Sequence, residues 1–220
     1  MSLISRTEPR GSAAMRKPKA PEENRARILK AATDEFATRG FKGASMDAIA
    51  ARTHTTRALI NYYFGSKEKL YIEVLEQGYT GIRQAESELD LDHLPPVDAI
   101  LRIVEFTFNY YIAHESFVRL VTAENQAKGR YLKKSKPMRS LNRTIVDTLA
   151  GVIRRGQQEG VFRGEVDALD VHKAIAAMGI FNVQNQYTFT TLFQCDMGGK
   201  GDVARRCRVV SDMILRYLQG

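Results

Sequence analysis

Residues 55–70 read TTRALINYYFGSKEKL. Two threonines and an arginine open the stretch. Asn61, Tyr62, Tyr63 and Phe64 then take four successive positions, and Gly65, Ser66 and Lys67 follow at once. Four successive residues of a helix point to all sides. A helix here therefore presents an amide, phenols and a guanidinium to something outside the chain, while Ile60 and Phe64, four apart, face inward. Gly65 ends it, and Ser66 caps the helix that follows.

Upstream, Ile28, Leu29, Ala32 and Phe36 recur at helical spacing between Glu22 and Arg39. Gly40 stops that helix. Ser45 offers an N-cap to SMDAIAAR, and Asp47 in its first turn complements the helix dipole. A helix over 45–52, a turn at 53–55 and a helix over 56–64 form a helix-turn-helix, whose second helix enters the major groove. Ile60 and Phe64 are expected to seat that helix against Ile49 and Phe36.

The residue types fit DNA. Thr56 and Arg57 can reach bases or phosphates; Arg57 suits a guanine edge and Asn61 an adenine edge. The phenols of Tyr62 and Tyr63 can donate to phosphate oxygens, contacts that position without reading sequence. Lys67 stands at a helix N-terminus, where backbone N–H groups also favour an anion. Charge agrees. The chain carries a net +8. Residues 1–70 hold 14 Lys/Arg against 7 Asp/Glu, and the other 150 hold 19 against 18, which directs a polyanion to the N-terminal end. Residues 1–21, with Arg6, Arg10, Arg16, Lys17 and Lys19, read as a disordered basic arm.

The rest of the 220 residues is all-α. A long helix follows Ser66, then others over about 97–113, 117–124, 138–158, 167–194 and 202–218. That makes about nine helices and no sheet. Gly78 and Gly81 imply either a kink in the fourth helix or a close neighbour. Residues 128–143 carry seven Lys/Arg and no acid and read as a solvated loop leading into a helix. In NVQNQYTFTT, residues 182–191, the amides Asn182, Asn185 and Gln186 share a face with Phe189. They suit either a subunit interface or a ligand-pocket wall.

No apolar run approaches the ~18–20 residues of a membrane helix, and the first residues lack a signal-peptide core. A cytoplasmic protein with no membrane partner is expected. Cys195 and Cys207 read as free thiols, too few for a zinc site. His54, His93, His114 and His172 show no metal-ligand spacing; a lone helical histidine reads as structural or exposed. Asp167 and Asp170 read as helix N-terminal acids. With no phosphate loop, nucleophile elbow or paired carboxylates, neither catalytic residue, metal nor cofactor is expected.

Residues from about 24 to 75 resemble the tetracycline-repressor (TetR) family. The resemblance is carried by A-x-x-x-F-x-x-x-G-F in the first helix, S-M-x-x-I-A in the second, and the aromatic cluster followed by F-x-S-K-E-x-L, all within ILKAATDEFATRGFKGASMDAIAARTHTTRALINYYFGSKEKLYIEVL. It implies DNA contacts at Ser45, Thr55, Thr56, Arg57, Ala58, Asn61, Tyr62 and Lys67, to which the residue reading adds Tyr63. Two positions depart from the family pattern. His54 replaces the usual turn glycine, and histidine is among the side chains that tolerate φ > 0. Asn61 replaces the first aromatic of the usual pair, an amide in place of a phenol.

The expected organisation is a basic arm (1–21), a DNA-binding domain (22–68) and a regulatory domain (69–220) that binds an effector and dimerises. The resemblance implies a homodimeric repressor of a pseudo-palindromic operator, released by a small molecule. The apolar stripe Val203, Cys207, Val210, Ile214, Leu218 is the expected dimer seam, though it suits packing within one chain equally. Phe106, Tyr110, Phe117 and Met178 are the expected effector-pocket walls, with Glu124, Asn125, Asn182 and Gln186 as polar groups. Two other readings stand beside this one: a helical enzyme or carrier for an apolar molecule, and a DNA-binding protein without an effector.

Overall fold

The computed structural model describes residues 21–220; the expected basic arm lies outside them, apart from Pro21. The described residues form ten α-helices and two single 3-10 turns, with no strand. The helices are α1 (Pro21–Gly43), α2 (Met46–Arg52), α3 (Arg57–Phe64), α4 (Lys67–Ser87), α5 (Pro96–Ala113), α6 (Glu115–Gln126), α7 (Met138–Gln158), α8 (Ala168–Gln184), α9 (Gln186–Phe193) and α10 (Lys200–Gln219). None is long and apolar enough to cross a membrane.

The caps at Ser45 and Ser66 fall where the sequence placed them, and Thr56, read only as the start of its helix, caps α3. Ser45 Oγ accepts from the Ala48 N–H at 3.3 Å, Thr56 Oγ1 from Leu59 at 3.2 Å, and Ser66 Oγ from Lys69 at 3.2 Å. Gly40 (φ 63°) breaks the helical run of α1. The turn residue His54 takes φ 50°, a left-handed conformation that costs a β-carbon about 1–2 kcal/mol. His54→Gly is therefore expected to raise head-domain stability by roughly 1 kcal/mol, less what glycine loses in unfolded-state entropy. Chemical denaturation checks it; a destabilised glycine variant means that the imidazole itself contributes.

The tenth helix arises from a break in the run expected over 167–194. Asn185 sits at φ −104°, ψ 3°, and its Nδ2 donates to the Phe181 carbonyl at 3.3 Å. A short amide that bonds locally competes with the helical ladder. The close-neighbour reading of Gly78 and Gly81 holds: a Cβ at Gly78 would lie 2.6 Å from the Phe117 ring, and one at Gly81 3.1 Å from the Tyr110 hydroxyl.

Two main cores result. The first joins Ile28 and Phe36 of α1, Ile49 of α2, Ile60 and Phe64 of α3, and Leu70, Tyr71, Val74 and Leu75 of α4. It also takes Leu120 from α6 and Tyr131 from the loop beyond it. The boundary expected at residue 68 thus falls at the start of a helix whose first turns are bricks of the head. The second core lies among α5, α7, α8 and α10. Val210, Ile214 and Leu218 are inside it, 6–7% exposed or fully buried. Val203 and Cys207 line an open groove of about 720 Å³ between α5 and α10, with Cys207 also packed against the edge of this core. The stripe expected to be the dimer seam therefore packs mostly within the chain, because α10 needs an apolar face toward α5 and α8 before any partner arrives.

Candidate nucleic-acid interface and effector cavity

α3 has two unlike sides. Ile60 and Phe64 are 0% and 5% exposed, while Arg57, Ala58, Asn61 and Tyr62 lie open, Tyr62 by 82%. A tyrosine left that bare touches the chain mainly through the edge-on contact with the Tyr63 ring and offers the rest of its surface outward. Arg57 stands 3.7 Å from the Asp47 carboxylate on α2, an exposed contact that leaves its fork available. Thr56 is exposed at the N-cap, Ser45 and Thr55 are half-buried, and the half-buried Tyr63 ring leans on Tyr62 and Phe64.

Lys67 is placed differently from the expectation of a free phosphate ligand. Its ammonium donates to the Ala44 carbonyl at 2.6 Å and lies 5.0 Å from the Phe41 ring centroid. It ties the start of α4 to the residue before the Ser45 cap.

Glu35, 3% exposed, was missed in the sequence because it looks like one more polar residue of a surface helix. Its Oε1 accepts from the Ser45 N–H at 3.0 Å, and Arg39 and Arg52 stand 3.4 and 3.7 Å from its carboxylate. It sets where α2 starts, and through the short turn where α3 points.

Behind the head, α4–α8 enclose a cavity of about 160 Å³. Tyr79, Tyr111 and Phe117 supply rings, Val118, Val121, Ala176 and Ile180 aliphatic walls, and Arg83, Asn142 and His172 polar groups. Of the expected pocket residues, only Phe117 is in this lining. Phe106 and Tyr110 pack beside it in the same cluster. Met178 and Asn125 are exposed, and the Asn125 amide bonds the Val121 carbonyl.

Glu124 is buried but already employed. Its Oε1 accepts from the Tyr131 and Leu132 N–H groups at 2.7 and 2.9 Å, so it folds the basic loop back on α6 and delivers Tyr131 into the head's core. Lys134 pairs with Glu68 at 2.6 Å, so this loop is pinned as well as solvated. Asn182 and Gln186 line a separate space of about 250 Å³ toward α10.

Burial shapes the charges in the cavity. It raises the Tyr79 phenol and pushes Tyr111 up to about 12. It holds His172 down to about 4, with the Arg83 cation adding to the effect, so that imidazole is neutral at pH 7. Next to the lining, it lifts Glu86 to about 7 against the attraction of Arg83. The missed signal was Tyr79, Arg83 and Glu86 at spacings of four and three, a charged pair on the buried stripe of α4.

Residues 28–74 match the family model of bacterial regulatory proteins of the tetR family, and residues 96–214 match the tetracyclin repressor-like C-terminal domain. The chain belongs to the TetR family. Along 198 residues it is 35% identical to the HTH-type transcriptional repressor NicS of Pseudomonas putida, covering 90% of this chain and 93% of that one. The HTH-type transcriptional repressor SCO4008 of Streptomyces coelicolor is 31% identical over 72% of this chain and 77% of its own length. The fold matches a tetR-family regulatory protein from Rhodococcus RHA1 with a TM-score of 0.69 at 18% identity, over 89% of this chain and 97% of that chain. In TetR terms the N-terminal match runs from α1 into the start of α4, in keeping with a head core that reaches Leu75. The chain is accordingly a DNA-binding transcription regulator.

Proposed function

We propose that the protein is a homodimeric repressor that grips a pseudo-palindromic operator and lets go when a small molecule fills the α4–α8 cavity. The observation that carries this reading is the pairing of two features along α4. Its first turns are part of the head's core, and its later turns wall the cavity. A ligand that favours one placement of α4 moves the head with it, with a typical coupling of ~1–3 kcal/mol. NicS and SCO4008, each matched over most of its length, are named as repressors, which supports that direction of control.

Dimerisation is supported by what the chain leaves uncovered. Val209, Met213 and Tyr217, four apart along α10, are 48%, 50% and 44% exposed, and Met178 and Phe181 on the adjoining α8 are similarly open. Large apolar side chains repeated along one helix face call for a partner.

The test is selection of duplexes from a random pool, followed by titration of the selected site and of random DNA with Arg57→Ala. The variant is expected to lose about 1–3 kcal/mol, roughly 5- to 150-fold, on the selected site and much less on random duplex. Equal losses on both place Arg57 on phosphate, and the absence of any preferred site overturns the operator reading.

A further inference from the structure

Arg83 is buried with two of its donor atoms unsatisfied. Its side chain is 6% exposed and that of Glu86 8%, with Nη1 and Oε2 separated by 3.0 Å. Yet Arg83 Nε and Nη1, and Glu86 Oε2, carry no hydrogen bond. The two charges touch without the parallel, two-point geometry in which a guanidinium holds a carboxylate best. A buried ion pair that is only a structural filler is costly unless its hydrogen bonds are complete, and orphaned donors inside a protein call for an explanation. The residue that carries these donors, Arg83, lines an occupiable space. The cavity beside them is about 160 Å³, near the ~150 Å³ that accommodates a single benzene ring. Its remaining walls are the Tyr79, Tyr111 and Phe117 rings, aliphatic side chains and two uncharged polar groups, the Asn142 amide and the His172 imidazole, and no carboxylate is among its lining residues.

We propose that Arg83 anchors the carboxylate of a one-ring aromatic acid, and that Glu86 is the internal carboxylate which that acid displaces. The inference rests on the reading of this cavity as the effector site and adds the class of effector. Glu86 suits the part of a placeholder. With its proton affinity raised to about 7 by burial, it accepts a proton from solvent when a competing anion takes Arg83, and it remains in the site as a neutral acid. The groups facing it are Arg83 on its own helix, Tyr110 and Tyr111 from α5, and His172 from α8 across Arg83. The phenols and the imidazole stay neutral near pH 7, which leaves Glu86 as the group that exchanges the proton. Binding of the acid is therefore accompanied by proton uptake, and it weakens as pH rises from 6.5 to 8.

Calorimetric titration of the full chain with benzoate and with benzamide tests this, since the two differ little in shape and by one charge. Wild type is expected to bind benzoate at least about tenfold more tightly than benzamide, some 1.4 kcal/mol. Glu86→Gln is expected to tighten benzoate several-fold and to flatten its pH dependence. Arg83→Gln is expected to erase the preference while benzamide still binds. If Arg83→Gln does not fold, Glu86→Gln decides alone. Equal affinities for the two probes, no binding of either at millimolar concentration, or a Glu86→Gln variant with unchanged benzoate affinity overturns the proposal. The effector reading is tested apart, by adding benzoate to the operator complex. Benzoate that binds with the expected preference but leaves DNA bound upholds the Arg83 anchor and removes the effector role.

Discussion

Met213→Arg is expected to leave the chain folded and to abolish the proposed dimer, whereas Ile214→Asp, one residue further on, is expected to unfold the chain. The two side chains are neighbours in sequence, but a helix turns about 100° between them, which puts one in solvent and the other in the core. Met213 is 50% exposed in the single chain, and Ile214 is 6% exposed inside the core shared with α5, α7 and α8. An arginine at 213 meets water in the monomer and costs little there. In a dimer seam it is an unpaired buried charge, a penalty of roughly 3–5 kcal/mol, or two to three orders of magnitude or more in the dimer dissociation constant. An aspartate at 214 is buried in every state of the folded chain, and a loss above about 4 kcal/mol takes most of a domain's stability. Light scattering with circular dichroism separates the two outcomes. Operator binding is expected to disappear in Met213→Arg as well, because one head alone forgoes the second half-site. A folded Met213→Arg that remains a dimer with wild-type affinity moves the seam off this face of α10.

The second large effect is at Glu35. Glu35→Ala removes the acceptor of the Ser45 N–H and the carboxylate beside Arg39 and Arg52. The stranded amide and the lost charge-assisted bond together cost about 3 kcal/mol. The penalty lands on the start of α2, so the head is expected to loosen while the α5, α7, α8 and α10 core holds. Amide exchange reads this directly: protection falls in α2 and α3 and stays in α7 and α8. Operator affinity falls with it, although Glu35 touches no base. Glu35→Gln keeps an oxygen for the Ser45 N–H and is expected to recover much of the loss. Uniform loss of protection through all ten helices would show that the head and body unfold as one unit.

Much of the head was readable from local chemistry. Ser45 and Ser66 announce their helices because a cap involves residues only three apart, and in the structure each oxygen accepts from the N–H three residues on. Gly40 and His54 mark places where the backbone turns to positive φ. The polar side of α3 could be read because its opposite side, Ile60 and Phe64, is spaced for one core. The family resemblance followed from those same residues. The body yielded less. Its helices were visible in outline, but the break at Asn185 depends on one side chain competing with its own backbone, a contest that periodicity does not register.

The sequence by itself determined most of the elements of this protein and the inward face of those in the head: an all-helical chain, a helix-turn-helix with Arg57, Asn61 and Tyr62 outward, and a basic N-terminal end. Only the tertiary structure decided which partners those faces meet. It assigned Val210, Ile214 and Leu218 to the chain's own core and left Val209, Met213 and Tyr217 open. It gave Glu124 and Lys67 fastening roles within the chain, at the Tyr131 loop and at the start of α4. It also brought Arg83 and Glu86 to a cavity walled by α5, α6, α7 and α8 as well as their own helix. The physical reason is range. Caps, turns and helical stripes are set by residues a few positions apart, whereas a cavity is set by the relative placement of helices up to a hundred residues apart, and no single stripe records which of its neighbours will stand opposite.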